Sequence, residues 1–455
     1  MKKRFGLLAL AVCLCTTGLF AQSAGEAAAP GATAGSEDEF FGSTDVEAQK
    51  GTAEKQDVAA SVEKEHVGLS GQLQAMSTYS VGVPFVQGSG NLADNTLSNI
   101  VGGDFLVDIR LQKGFKAFLD LNLGFVPGGI PTTHNATIIV PGPGPLTFIE
   151  NQETALLIKE VFVDFNLANT AYFRVGKQVL KWGTGYFWNP TDLINIEHRS
   201  FTNTTALLQG VFGLRSDVVF SPNWHLYTFL NLNGVNADAS DVAFAARSEF
   251  LVGSAEFAVS SWLKWGKLPV FGADLSTPLF WSMNLTSEAS FSWGDNQDKF
   301  DPASGAYAVR DQLVAKVDVG LSRSFDALDV QDRVMVNVEF FYNSDGYSQN
   351  MLQVHGFLPF PGLSTGYFQS GYYGQWYGAM FVTISDFGST NMTLALSGLA
   401  NFSDLSGTAL AGLSYSPVNN FTLSLQLGSN LGAGGREYTF SNTQFFGILG
   451  ATVAF

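Results

Sequence analysis

The feature that most limits the fold is a two-residue rhythm running from about Val67 to the last residue, Phe455. Segments of about ten residues alternate apolar and polar side chains, with turn residues between them. The cleanest case is Phe115 to Phe125. Phe115, Ala117, Leu119, Leu121, Leu123 and Phe125 fall on one face, and Lys116, Phe118, Asp120, Asn122 and Gly124 on the other. Ten steps at about 3.3 Å give roughly 33 Å of strand. Tilted by about 40°, such a strand rises roughly 25 Å, the apolar height of an outer membrane between its aromatic girdles. The last segment repeats the spacing, with Phe445, Gly447, Leu449, Ala451, Val453 and Phe455 on one face. Val334, Val336, Val338 and Phe340 oppose Arg333, Asn337 and Glu339 in the same way.

A soluble β-sandwich also alternates, but its turns are short throughout. Here short connections, such as Lys113-Gly114, Ala168-Asn169-Thr170, Ser221-Pro222-Asn223, Gly253-Ser254, Pro278-Leu279, Ser389-Thr390 and Pro417-Val418-Asn419, alternate with long ones. The long ones fall near 84–99, 127–152, 183–207, 294–308, 344–376 and 429–442. The pattern predicts an all-β protein: a transmembrane antiparallel up-and-down β-barrel of about 18 strands (16–18), with short periplasmic turns and long extracellular loops. An even count leaves both termini on the periplasmic side.

The N-terminus agrees. Lys2, Lys3 and Arg4 precede the apolar run Leu7 to Leu14, and small residues follow to Ala21. This is the layout of a signal peptide, here 1–21, and the run is too short for a spanning helix, which needs about 20 apolar residues. Residues 22–66 are acidic, with Glu37-Asp38-Glu39, Glu47, Glu54 and Glu63 among them. They read as a disordered periplasmic lead-in, and 67–455 as the barrel. Both cysteines, Cys13 and Cys15, lie in the signal, so the mature chain has no thiol chemistry and no disulfide. The net charge of −16 becomes about −19 without the three signal bases, which argues against a nucleic-acid partner.

Alternation also selects the inward side chains. Asp108, Arg110, Lys116, Asp120, Glu160, Asp164, Arg174, Arg215, Asp217, Arg247, Glu249, Glu256, Lys264, Lys316, Asp318, Arg333 and Glu339 lie in strands whose other face is apolar. Toward lipid each would cost up to about 2–4 kcal/mol at the midplane. They belong in a wet or self-paired interior, and 16 to 18 strands make a barrel wide enough for an aqueous channel. The two signs are interspersed, so neither anions nor cations are favoured.

The block Arg174-Val175-Gly176-Lys177-Gln178-Val179-Leu180-Lys181-Trp182-Gly183 continues through Tyr186-Phe187-Trp188-Asn189-Pro190-Thr191-Asp192. Arg174, Gln178 and Trp182 share the inward face, and Asn189-Pro190 favours a turn. The residues expected at a constriction are therefore Arg174, Gln178, Trp182, Asn189 and Asp192; a loop packed only for stability is the alternative. This block resembles that of outer-membrane barrels of the domain-of-unknown-function 1302 type and, more distantly, of alginate-export barrels. The resemblance covers about 20 residues; it implies an ordered, inward-folded loop and no particular solute. The tail Gly450-Ala451-Thr452-Val453-Ala454-Phe455 resembles the terminal signal that the barrel assembly machinery reads, with Phe455 as its key residue and Ile448 a departure where a polar residue is usual.

Tyr342, Tyr347, Phe357, Phe360, Tyr367, Phe368, Tyr372, Tyr373, Trp376 and Tyr377 concentrate in or beside loop 344–376. They could contact a solute, or serve as girdle and loop packing. The five histidines, His66, His134, His198, His225 and His355, lack ligand spacing, and no nucleophile elbow or P-loop occurs. No metal, cofactor or enzymatic activity is expected. The expected role is a porin-like channel for passive diffusion of small solutes; a transporter of hydrophobic compounds and a surface adhesin or structural barrel are alternatives. Expected partners are outer-membrane lipid, the assembly machinery, small solutes and a second copy of the chain in a homo-oligomer.

Overall fold

The computed structural model describes residues 66–82, 95–111, 114–136, 146–168, 170–194, 210–232, 242–294, 296, 299–301, 306–308, 311–350, 371–440 and 443–455. The expected signal peptide and residues 22–65 of the acidic segment lie outside them, as do His198, His355, Phe357, Phe360, Tyr367 and Phe368. No helix among the described residues is long and apolar enough to cross a membrane, which says nothing of a barrel.

The chain forms a closed 18-stranded antiparallel barrel. Its first half comprises β1 (His66–Gly82), β2 (Thr96–Arg110), β3 (Lys116–Ala136), β4 (Leu146–Leu167), β5 (Ala171–Gln178), β6 (Val211–Ser221), β7 (Trp224–Asn231), β8 (Ala243–Val252), β9 (Ala255–Lys264) and β10 (Val270–Pro278). Then come β11 (Met283–Trp293), the small separate hairpin β12 (Lys299–Asp301) and β13 (Ala306–Ala308), and β14 (Leu313–Ala327). The wall is completed by β15 (Val330–Asn343), β16 (Trp376–Ile384), β17 (Met392–Asn401), β18 (Ser406–Val418), β19 (Phe421–Leu431) and β20 (Thr443–Ala454). Each wall strand pairs with its neighbours along the chain. β1 and β20 close the ring from Gln72↔Ala454 to Gly82↔Thr443. Closure leaves no unpaired strand edge, which lipid requires.

The turns at one end are tight. Trp224 follows β6 after only Pro222 and Asn223, and Ser221 pairs with Trp224. Leu328 and Asp329 form another two-residue turn, missing from the turns expected above, with φ of 50° and 61°. Two left-handed residues give the turn twist that matches a hairpin. At the other end the asymmetry is less regular than expected. The connections 265–269 and 402–405 are short there. The expected loop 127–152 is largely strand: β3 and β4 continue their ladder from Ile130↔Gln152 to Ala136↔Leu146 beyond a register shift after Phe125. Backbone pairing carries this hairpin on past the length that lipid demands, which a reading by membrane height cannot foresee. The expected loop 84–99 ends earlier, since β2 begins at Thr96, and 294–308 carries the small hairpin.

Outward faces match the alternation. Phe115, Leu123, Phe125, Val319, Leu321, Phe340, Leu425, Phe445, Leu449 and Val453 are exposed around the wall. Inward positions are buried and mostly polar in β2 to β6, whereas β7 to β9 and β15 to β17 present apolar groups inward. Those two apolar patches require cover, and a loop from the chain itself supplies it.

Candidate channel constriction

The cover is the segment 179–194, which leaves β5 and crosses the interior. Val179 N–H donates to Glu160 Oε1 at 2.6 Å, fixing the point of entry. Leu180, Trp182, Leu193 and Ile194 then bury themselves against Tyr227, Phe229, Ala245 and Trp262 of β7 to β9. The middle of the segment reaches strands on the other side of the ring. Phe187 and Trp188 pack with Phe341, Tyr377, Ala379 and Phe381. Trp188 stacks on Phe341 at 5.4 Å between centroids, and Tyr186 on Phe381 at 5.0 Å.

Two wall carboxylates hold the crossing. Glu288 of β11 accepts from the N–H groups of Thr184, Gly185 (2.6 Å) and Thr191 (3.2 Å) and from Thr191 Oγ1 (2.7 Å). Glu339 of β15 accepts from the N–H groups of Tyr186, Phe187 (2.6 Å) and Trp188 (3.3 Å). A loop inside a barrel has N–H groups with no strand partner, and leaving each unsatisfied costs about 1–3 kcal/mol. A buried carboxylate has the opposite need, for donors. Each side answers the other. Gly183 makes the approach feasible: its φ is 94°, and a Cβ there would stand 2.6 Å from both Glu288 oxygens. Asn189 Nδ2 closes the turn on Gly185 O at 2.9 Å, and Asp192 N–H donates to Asn189 O at 3.0 Å. The indole N–H of Trp188 donates to Gly371 O at 3.0 Å, tying the segment to the long connection after β15.

Asp318 of β14 is fully buried across from Glu288, and neither of its oxygens has a hydrogen-bond partner. Among the described residues no acid or histidine cluster could hold a metal ion.

The opposite wall is different. Cross-strand register sets Arg110 beside Lys116, Lys116 beside Asp164, Asp164 beside Arg174 and Arg174 beside Arg215. The result is one row over β2 to β6 carrying four cations and one anion. Arg174 grips Asp164 with two bonds, Nε–Oδ1 at 2.7 Å and Nη2–Oδ2 at 2.9 Å, and lies 3.7 Å over the Phe162 ring. Lys116 and Arg110 both reach Asp108, at 3.3 and 3.4 Å. On the long-connection side of the row, Lys159 bridges Asp104 and Asp120 at 3.3 and 3.5 Å. Arg215 lies 5.6 Å from the Tyr227 ring, and Asp217 is 3.7 Å from His225 Nδ1.

The sequence-selected residues therefore separate into groups. Arg110, Lys116, Asp164, Arg174 and Arg215 share the row, with Asp108 beside it. Glu160, Gln178, Trp182, Asn189, Asp192 and Glu339 belong to the crossing segment or its supports; Gln178 Nε2 donates to Arg174 O and Gly213 O at 3.5 and 3.4 Å. Lys316 shares β14 with Asp318, two residues away. Arg333 stands apart at the short-turn rim, donating to Ser385 O and Asp386 O at 3.2 and 2.8 Å. Arg247 pairs with Asp274 through both terminal nitrogens.

Sequence reasoning missed Glu288, Asp104, Lys159 and Asp274. Glu288 carried a signal, since Asn284, Thr286, Glu288, Ser290 and Ser292 alternate with Leu285, Ala289, Phe291 and Trp293. Lys159 did not: it occupies a register shift between Asp120↔Glu160 and Leu121↔Ile158, which strict alternation cannot place.

Phe455 sits at the seam. Its N–H and C=O pair with Gly71 at 2.9 Å each, and its ring faces Phe105 at 6.0 Å. A Cβ on Gly71 would come 3.0 Å from that ring. Ile448, the departure in the tail, is buried inward with Leu410 and Phe446, so an apolar group has apolar neighbours there.

No family model matches the chain, and no curated protein matches it. Solved structures do. The chain is similar to a BenF-like porin from Pseudomonas fluorescens Pf-5, with TM-score 0.51 and 10% identity over 86% of this chain and 98% of that one. It is similar to Acinetobacter baumannii OccAB4 at TM-score 0.50 and 9% identity, over 86% and 98%. Pseudomonas aeruginosa OccK9 (OpdG) gives TM-score 0.50 and 10% identity, over 85% and 98%. At these identities the likeness is one of fold, and the fold it establishes is the closed 18-stranded antiparallel barrel of outer-membrane porins.

Proposed function

We propose that this protein is an outer-membrane channel through which small solutes diffuse passively, narrowed by segment 179–194. The observation that carries the reading is the crossing segment itself. It is pinned by Glu288 and Glu339 and lies inside a wall whose row of Arg110, Lys116, Arg174 and Arg215 faces inward. A barrel of this strand number is wide enough for an aqueous path, and an inward loop is the usual means of reducing it. The likeness in fold to a porin supports the same reading. The resemblance of 174–192 to barrels of the domain-of-unknown-function 1302 and alginate-export types is part of the same proposal.

In this reading Arg174, Arg215, Lys116 and Arg110 line one side of the path, and Asp108, Asp120 and Asp217 moderate their charge. Export by the segment 1–21, a periplasmic lead-in at 22–66 and recognition of Phe455 by the assembly machinery complete the proposal. A homo-oligomer, were one to form, would use the lipid-facing wall.

Planar-bilayer recording tests the reading. Discrete open-channel steps are expected from the purified protein. Their absence at high protein load would overturn it, while an adhesin or structural barrel would give none. Deleting Phe455 should slow assembly into the membrane without changing the currents of the molecules that insert.

A further inference from the structure

On the lipid-facing side of β15 to β19, at the end bearing the long connections, the wall is not smooth. It holds an apolar groove of about 540 Å³, within the range of about 300–1,000 Å³ that holds small ligands. Register explains it. Gly378, Ala400 and Gly407 lie side by side on β16, β17 and β18. In the next row Gly398 lies between Met380 and Ala409. Small residues in the two rows leave a trough over β17 and β18, walled by the exposed side chains of Phe340, Met380 and Leu431, with the Phe402 ring lying over Gly378. A Cβ on Gly398 would meet nothing within 4 Å, so the trough is open there.

One end of the trough has a polar marker. Phe402 and Leu405 form its rim, and Phe402 N–H donates to Trp376 O at 2.9 Å. Trp376 is exposed toward lipid and packs on Tyr342 at 4.5 Å, the placing of an aromatic girdle at the water boundary. At this level Arg436 Nη1 donates to Leu405 O at 2.8 Å. Arg436 forms no ion pair with any described carboxylate. A cation above an apolar trough, at headgroup depth, complements a molecule that is acylated below and anionic above.

We propose that this groove binds an acyl chain of a phosphate-bearing lipid of the outer leaflet, with Arg436 meeting the phosphate. The proposal rests on the membrane-spanning reading of the barrel and on the long connections being external. It gives Gly398 a role that strand formation does not need, since glycine weakens a strand; Gly407 is already called for by Leu399 O, which would stand 2.5 Å from a Cβ there.

Native mass spectrometry of the detergent-extracted protein, titrated with diphosphoryl lipid A and with its monophosphoryl form, provides the test. One retained lipid per barrel is expected, with the diphosphoryl form preferred. Gly398→Trp should fill the trough and reduce retention about tenfold; the open space at Gly398 and its lipid-facing position allow that variant to fold, which heat-modifiable gel mobility checks. Arg436→Gln should abolish the preference between the two probes while leaving some retention. Equal retention by wild type and both variants would overturn the proposal. A dimer that only Gly398→Trp dissociates would also overturn it, because a second barrel would then be the occupant. Failure of the underlying reading would look different: the protein would neither insert into vesicles nor conduct.

Discussion

Two inward walls of this barrel both carry charged groups, and use them in opposite ways. The wall of β11, β14 and β15 supplies Glu288, Asp318 and Glu339, all fully or almost fully buried. Two of them are consumed by backbone N–H groups of the crossing segment. The wall of β2 to β6 supplies Arg110 and Lys116, paired with Asp108, and Arg174, paired with Asp164, while Arg215 lies by the Tyr227 ring of β7. The acids of the first wall are therefore used to hold the crossing segment, whereas the charges of the second are paired among themselves. The lesson concerns counting. A tally of inward charges shows mixed signs, but does not show which are capped by peptide groups and which stand in a row of opposite partners.

Removing the anchors should break the comparison most severely. Glu288→Gln combined with Glu339→Gln weakens the carboxylate bonds to the backbone of residues 184–191, and single-channel conductance should rise at least about twofold, with noisier open states. Unchanged currents would show that the apolar packing of Trp182 and Trp188 holds the segment without the carboxylates. Next in size is Arg174→Ala. It leaves Asp164 buried without its partner, and breaking such a pair costs about 3–5 kcal/mol. Urea unfolding in lipid vesicles reads that loss, and a neutral result would mean that Lys116 takes over Asp164.

Lys116→Gln sharpens the role of the cationic row at smaller cost. Its amine is part-exposed and paired with Asp108 at 3.3 Å, so stability should change by less than about 1 kcal/mol. The reversal potential in a salt gradient should nevertheless move toward cation preference. No movement would remove Lys116 from the path.

The smallest effect concerns the link between the crossing segment and the outer connections. Gly371 accepts from the Trp188 indole and donates to the carboxylate of Glu437. Glu437 lies in the connection after β19 and also accepts from Tyr377 Oη at 2.8 Å and Asn401 Nδ2 at 2.6 Å. Burial pushes its carboxyl up from 4.5 to about 8, with Asp404 raising it further, against the pull of the Gly371, Tyr377 and Asn401 donors. A raised carboxyl favours the protonated form in the folded loop. Its contribution is full below pH 4.5 and is lost as pH rises through about 8. Amide exchange at Gly371, corrected for its intrinsic pH dependence, should therefore accelerate progressively between about pH 4.5 and 8 and level off above that. Glu437→Gln should flatten that profile; the same rise in the variant would assign it to another group.

Much of the fold was legible because a barrel strand has to alternate: one face meets lipid and the other does not. Phe115 to Phe125 and Phe445 to Phe455 declared their outward faces, and the strand number followed from such segments. The candidate site was legible only in part. The block from Arg174 to Asp192 signalled an ordered inward loop through its aromatic residues and Asn189-Pro190. Nothing local said that its peptide groups would be met by Glu288 and Glu339, about 100 and 150 residues further on. Arg333 looked equivalent to Arg174 by face, yet it holds a turn at the rim, because depth along the barrel is not written in a two-residue period.

The sequence by itself determined the wall: its strands, their faces and their order around the ring, since alternation and turn chemistry are local and every neighbouring pair of wall strands except the closing β1–β20 is consecutive in the chain. The tertiary structure alone decided the interior. Which charges stand side by side depends on register between strands, and which carboxylates are capped depends on a loop that crosses the ring to reach them.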